Sequence, residues 1–310
     1  MLHLMTNWSA AHPDQTAINV NYQPVGSGLG VEKLMQHKLD FATSDVPIPL
    51  EVLSQNQLMQ FPLIGSGVVV VVHIDGLHTE QLKIGRKELA EIFLGKITNW
   101  NDPGITDDNP GLTLPNKQIT VVHRGDPSGS TYAFTSYLSK IRPEWSREVG
   151  AGFTVPWKVG IDATANKGVA DMVARTPNSI GYLSYDYAMH NKLSCVQLLN
   201  KDNHFVSPNK DSLIEGLSHM NWDFGNKFSA IQVNPAGKGS WPISTALFVI
   251  LPTQQDNAGA KKALFDYFNW FIDEKVQASD TLSYVPLPEI MRGYVKTLLR
   301  TELGEHGLLK

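Results

Sequence analysis

Five consecutive valines, Val68 to Val72, constrain this chain more than any other feature of it. β-Branched side chains favour extended backbone. Neighbouring residues of a strand point to opposite faces, so an unbroken apolar run needs cover on both sides. The run is therefore expected to be a buried strand. It ends a longer apolar stretch, Leu63 to Val72, which is too short to span a bilayer and contains Gly65, Ser66 and Gly67. Thr245 to Leu251 reads as a second fully buried strand.

Strand and helix patterns alternate around these two, which argues for an α/β fold. Asn19 to Gln23 is strand-like and runs into the loop Gly26-Ser27-Gly28-Leu29-Gly30; Val31, Leu34, Met35 and Leu39 then recur at helical spacing. Asp40 to Asp45 is extended and stops before Pro47 and Pro49. Arg86 to Phe93 is a short amphipathic helix. Ile119 to His123 is a strand that opens into Arg124-Gly125-Asp126-Pro127-Ser128-Gly129-Ser130, and Ala133, Phe134, Tyr137, Leu138 and Ile141 mark a helix behind it. Ile180 to Leu183 is a strand followed by a helical stretch to about Asn191, and Lys261 to Phe271 is a strong helix.

Composition narrows the function. With 310 residues, 42% of them hydrophobic and 18% charged, the chain can bury a core in one large or two medium domains. A net charge of -4 and the lack of a long basic run argue against nucleic acid and anionic lipid as partners. An anionic ligand would have to be attracted by local geometry. The single cysteine, Cys195, excludes an internal disulfide and a Cys-rich zinc site, and the ten histidines are scattered, so neither metal nor cofactor is expected. GxxxxGK[ST], HExxH and GxSxG do not occur; the Gly26 loop carries Val31 where a dinucleotide fingerprint needs its third glycine. Met1 to Met5 lacks the basic start and long apolar stretch of a signal peptide.

The chemistry concentrates in two loops with the same order: strand, Gly/Ser loop, helix start. A helix N-terminus offers unpaired N–H groups and about half a positive charge, an anion site without lysine. Ser27 on the first loop, and Ser128, Gly129 and Ser130 on the second, stand where such donors are needed; ordinary helix capping accounts for the same residues. Arg124 adds a planar fork suited to a tetrahedral oxyanion, or is a surface arginine. Asp126 can clamp that guanidinium, or is an acid at a helix start. Asp45 is an acceptor only when ionised. In a closed site it would take a ligand that carries a hydroxyl and reject one that does not; as a turn residue before Pro47 it would do neither.

The chain resembles the periplasmic phosphate-binding proteins of the phosphate-specific ABC transporter, the PstS family. The likeness rests on NYQPVGSG from position 21, LDFATSDVP from 39, LAEIFLGKITNWNDP from 89, NPGLTLPNKQITVVHRGDPSGSTYAFTSYLSK from 109, SIGYLSYDYA from 179, WPIS from 241 and FDYFNWF from 265. It implies a type II periplasmic-binding-protein fold: two α/β lobes, residues 1–73 with 243–310 and residues 74–242, joined by two crossing strands that the Val68 and Thr245 runs resemble. It implies capture of inorganic phosphate by Ser27, Asp45, Arg124, Ser128, Gly129 and Ser130, with Asp126 behind Arg124. Delivery to membrane permease and ATPase subunits, an extracytoplasmic location, a monomeric state and no catalysis are implied as well. The open alternatives are another oxyanion, or a phosphate-ester hydrolase with Asp45 as nucleophile. Ser130 replaces the family's usual threonine, and Pro127 a usual glycine. The family begins with a strand and a Gly-rich turn ending in Thr-Phe that also bind phosphate. Met1 to Asn7 replaces the end of that region, so an N-terminally shortened version with a misassigned start at Met1 or Met5 is expected.

Overall fold

The computed structural model describes residues 21–23, 25–254, 257–273 and 285–303. Met1 to Asn7, and Asn19 and Val20 of the expected first strand, lie outside the described residues. Asn21 to Gln23 is not strand. The Val25 amide donates to the Gln23 carbonyl at 2.9 Å just before Gly26.

The first element is helix α1 (Ser27–Met35), which buries Val31 and Leu34. It stops short of Leu39, which the helical spacing had included. His37 at φ 55 bonds back to Leu34 and Lys38 to Lys33, the paired 5→2 and 6→1 bonds that close a helix end. Strand β1 (Ala42–Ser44) and helix α2 (Leu50–Gln55) follow. Then comes β2 (Leu58–His73), 16 residues long. The valine run is only its second half. Pro62 and the Gly65-Ser66-Gly67 segment did not mark strand from sequence. The ladder absorbs the proline at a register shift between Leu247 and Phe248 on the partner strand.

The next part holds β3 (Lys83–Ile84), α3 (Arg86–Phe93), α4 (Pro103–Thr106), β4 (Thr120–Arg124), α5 (Gly129–Ile141) and α6 (Pro143–Glu148). After these come β5 (Ile161–Ala163), α7 (Ala165–Arg175), β6 (Ser179–Ser184), α8 (Tyr185–His190), β7 (Ser194–Cys195), β8 (Gln197–Leu199), β9 (Phe205–Val206) and α9 (Lys210–Ser218). The chain returns through β10 (Ser244–Pro252), α10 (Ala258–Phe271) and α11 (Glu289–Glu302).

The main sheet runs β1-β10-β2-β6-β4-β5, with β7 also on β2; β3, β8 and β9 form a small separate sheet. β2 changes partners half-way. Leu58 to Gly67 pairs antiparallel with β10, and Val68 to His73 pairs antiparallel with β6. The core divides at the same point. Phe61, Leu63, Ile64, Val249 and Phe268 belong to one cluster; Val68 to Val72, Phe134, Tyr137, Trp241 and Ile243 belong to the other. β2 and the start of β10 thus cross together between two α/β lobes. Glycine is required at the crossing because α9 packs against it. A Cβ on Gly65 would lie 2.5 Å from Leu217 Cδ1 and 2.8 Å from the Val285 carbonyl, and one on Gly67 would collide with Leu213. Cys195 is buried beside Val71, and burial pushes its thiol up to about 12, which leaves it unreactive. Among the described residues no helix is long and apolar enough to cross a membrane.

Candidate oxyanion site

β4 delivers Arg124 to the edge between the lobes, where it is 5% exposed. Its Nε donates to Asp126 Oδ1 at 2.7 Å and its Nη2 to Asp126 Oδ2 at 2.5 Å, a two-point clamp. Asp126 Oδ1 also accepts the Ala165 amide at 3.1 Å. Partial burial pushes the Asp126 carboxyl up, but the hydrogen bond and charge of Arg124 outweigh it and hold the group below its usual range. The Arg124 amide donates to the Tyr182 hydroxyl at 3.3 Å. That hydroxyl shares a 2.7 Å hydrogen bond with Thr131 Oγ1, which ties β4, β6 and α5 together.

Ser128 is the N-cap of α5. Its Oγ accepts the Thr131 amide at 3.2 Å and its own amide donates to the Phe153 carbonyl at 2.9 Å. Capping and ligand donation are compatible, because a hydroxyl that accepts through a lone pair still has its proton to give. Gly129 and Ser130 are the first two residues of α5, so their amides have no intrahelical acceptor.

The first-lobe loop meets this one directly. Gly26, at φ 87, turns the chain into α1, a conformation that disfavours a side chain. Ser27 Oγ accepts the Asp45 amide at 3.2 Å and still has its own proton to donate. Across the cleft, a Cβ on Gly129 would lie 2.5 Å from Ser27 Oγ and 3.0 Å from Asp45 Cβ. A Cβ on Gly28 would lie 2.7 Å from Pro127 Cβ. Ser130 Oγ donates to Asp45 Oδ2 at 2.8 Å, a bond between residues 85 apart in the chain. Burial pushes the Asp45 carboxyl above its usual range and Asp186 adds to this, while the Ser130 bond and the Arg124 charge pull the other way.

All seven residues singled out from sequence, Ser27, Asp45, Arg124, Asp126, Ser128, Gly129 and Ser130, therefore line one junction between two helix starts. Three neighbours carried no assigned role: Tyr182 beneath Arg124, Asp186 on α8, and Asn166, whose Oδ1 accepts from Arg124 Nη1 at 3.3 Å. Tyr182 and Asp186 sit inside the SIGYLSYDYA segment, a usable signal. Asn166 follows no glycine-rich loop and its segment offered no cue. Among the described residues no group of three or more His, Cys, Asp or Glu side chains is placed to hold a metal.

Two lobes with paired helix starts and a guanidinium at their junction have the arrangement of a solute-binding protein. Consistent with this, a family model described as a PBP superfamily domain matches residues 1–275. The phosphate-binding protein PstS of Haemophilus influenzae is 40% identical over 302 residues, covering 97% of this chain and 90% of that one. Its counterpart in Pasteurella multocida is 40% identical over 300 residues, covering 97% and 87%. The chain belongs to the PstS family within this superfamily. A solved high-affinity periplasmic phosphate-binding protein with bound phosphate (PfluDING) shares the fold at a TM-score of 0.72 and 20% identity, over 91% of this chain and 89% of its own.

Proposed function

We propose that this chain binds inorganic phosphate between its lobes and passes it to the permease and ATPase subunits of an ABC importer, on the extracytoplasmic side of the membrane and without turnover. Lobe one contributes Ser27 and Asp45; lobe two contributes Arg124, Ser128, Gly129 and Ser130, with Asp126 orienting Arg124. Ligand favours the closed form because only that form surrounds it. The lobes were expected as residues 1–73 with 243–310 and residues 74–242. The packing of Val68 to Val72 with the second core cluster supports a change of lobe slightly earlier, within Gly65 to Gly67.

The observation that carries the reading is the position of Asp45. The Asp45 carboxyl closes the site opposite a guanidinium and two helix starts, and its Oδ2 already accepts from Ser130 across the cleft. A phosphate monoanion or dianion has a proton to donate to it. Sulfate has none, and two facing, unbridged acceptors cost about 2 kcal/mol or more. Isothermal calorimetry is the test: phosphate is expected to bind and sulfate to bind at least about 30-fold more weakly. Equal affinities would overturn the reading. Steady hydrolysis of a phosphomonoester by the pure protein would overturn the claim of binding without turnover.

A further inference from the structure

A guanidinium carries five N–H donors and no acceptor. In Arg124, Asp126 takes the Nε proton and one on Nη2, and Asn166 takes one on Nη1. One N–H is left on each terminal nitrogen, a pair that can reach two oxygens of a tetrahedral anion. Asp126 defines one edge of the fork; Asn166 defines the other.

The orientation of Asn166 is dictated by its surroundings. Because Arg124 can only donate, Asn166 must turn its oxygen toward it. The amide nitrogen then donates to Ser184 Oγ at 2.9 Å, and the Ser184 amide approaches the same Oδ1 at 3.4 Å. Asn166 is the second residue of α7. The first, Ala165, gives its amide to Asp126 from a left-handed backbone at φ 60. One helix start thus grips both members of the ion pair, and Ser184 locks that grip to the end of β6.

We propose that Asn166 is a positioning residue for phosphate binding: it holds the Nη1 edge of Arg124 so that the two remaining N–H groups face the first-lobe cradle. This rests on the reading of Arg124 as a phosphate ligand. Asn166 is only partly buried at a helix start, so its replacement is expected to leave the fold intact.

The test is a double-mutant cycle read by calorimetry with inorganic phosphate. Arg124→Lys, which keeps the charge but loses the fork, is expected to weaken binding about tenfold or more. Asn166→Ala is expected to cost about tenfold in the unchanged chain and less than about twofold on the Arg124→Lys background. Ser184→Ala should act in the same direction and less. In ¹⁵N spectra the Arg124 Nη signals, distinct in the unchanged chain, should average together in Asn166→Ala while the thermal midpoint stays put. An equal loss in both backgrounds marks a structural role and overturns the inference. No loss from Asn166→Ala, with Arg124→Lys still damaging, overturns it while the phosphate site stands. Unchanged binding in Arg124→Lys brings down the site and the inference together.

Discussion

The two loops that face each other across the cleft share a plan and differ in how they are held. On the second lobe, Arg124 is clamped by Asp126, Asp126 by the start of α7, and the Arg124 amide by Tyr182, which is bonded to Thr131 and stacked on Phe134 at 4.4 Å. On the first lobe, among the described residues, the Ser27 hydroxyl is held by one hydrogen bond, from the Asp45 amide just past β1. The difference teaches a division of labour. The second-lobe loop is set before any ligand arrives, so its donors need no reordering on binding. The first lobe brings, from just past β1, one carboxylate whose pKa is raised by burial, a group suited to checking the ligand rather than gripping it.

The contrast can be broken experimentally, most severely at Arg124. Arg124→Ala leaves the Asp126 carboxylate unpaired beside an incoming anion and is expected to cost about 3 kcal/mol of phosphate affinity, a factor of about 100. Calorimetry that found less than a fivefold loss would show that the second lobe does not dominate. Asp45→Asn should lower the phosphate-to-sulfate ratio by about 30-fold, chiefly by improving sulfate. An unchanged ratio would remove Asp45 from the discrimination.

The same contrast appears in pH. Burial and Asp186 raise the Asp45 carboxyl, so in the folded chain it takes up a proton at a higher pH than an ordinary aspartate. A protonated Asp45 donates, and sulfate then meets a partner instead of an unpaired acceptor. Sulfate affinity is therefore expected to rise as pH falls through that raised value, and to show no such rise in Asp45→Asn. The two carboxylates have opposite signs in stability. The raised pKa of Asp45 favours the folded state below the unfolded value, and that contribution is lost as pH rises through the folded one. The lowered pKa of Asp126 contributes above the unfolded value and is lost as pH falls through the folded one. A sulfate titration flat in pH would contradict the assignment of Asp45.

The smallest effects separate the two serines. Ser128 caps α5, so Ser128→Ala should cost about 1 kcal/mol of stability together with some affinity. Ser27 lies inside α1 behind Gly26 and caps nothing, so Ser27→Ala should cost affinity, about tenfold or less, with a smaller shift in thermal midpoint. Equal midpoints in the two variants would erase the distinction.

Much of the site was legible because its parts are local. A strand end, a Gly/Ser turn and a helix start announce themselves over ten residues, and Arg124 and Asp126 are two apart. β4, α5, β6 and α10 fall where the periodicity placed them, within four residues at each end. Reading failed where long-range packing overrides local pattern. Leu39 continued the spacing of α1, yet the backbone closes the helix at His37. Pro62 and the two glycines lay outside the valine run read as strand, yet β10 and α9 hold that segment extended. Asn166 was invisible because its partners lie 42 and 18 residues away.

The amino-acid sequence by itself determined the two helix-start cradles, the guanidinium with its neighbouring acid and the buried valine strand, because each is set by residues within one turn or one strand of one another. The tertiary structure decided that the cradles face each other, that Ser130 reaches Asp45, that β2 serves both lobes, and which way Arg124 points. Those outcomes depend on contacts between segments tens of residues apart, whose closure is set by packing of the whole chain and by no local preference.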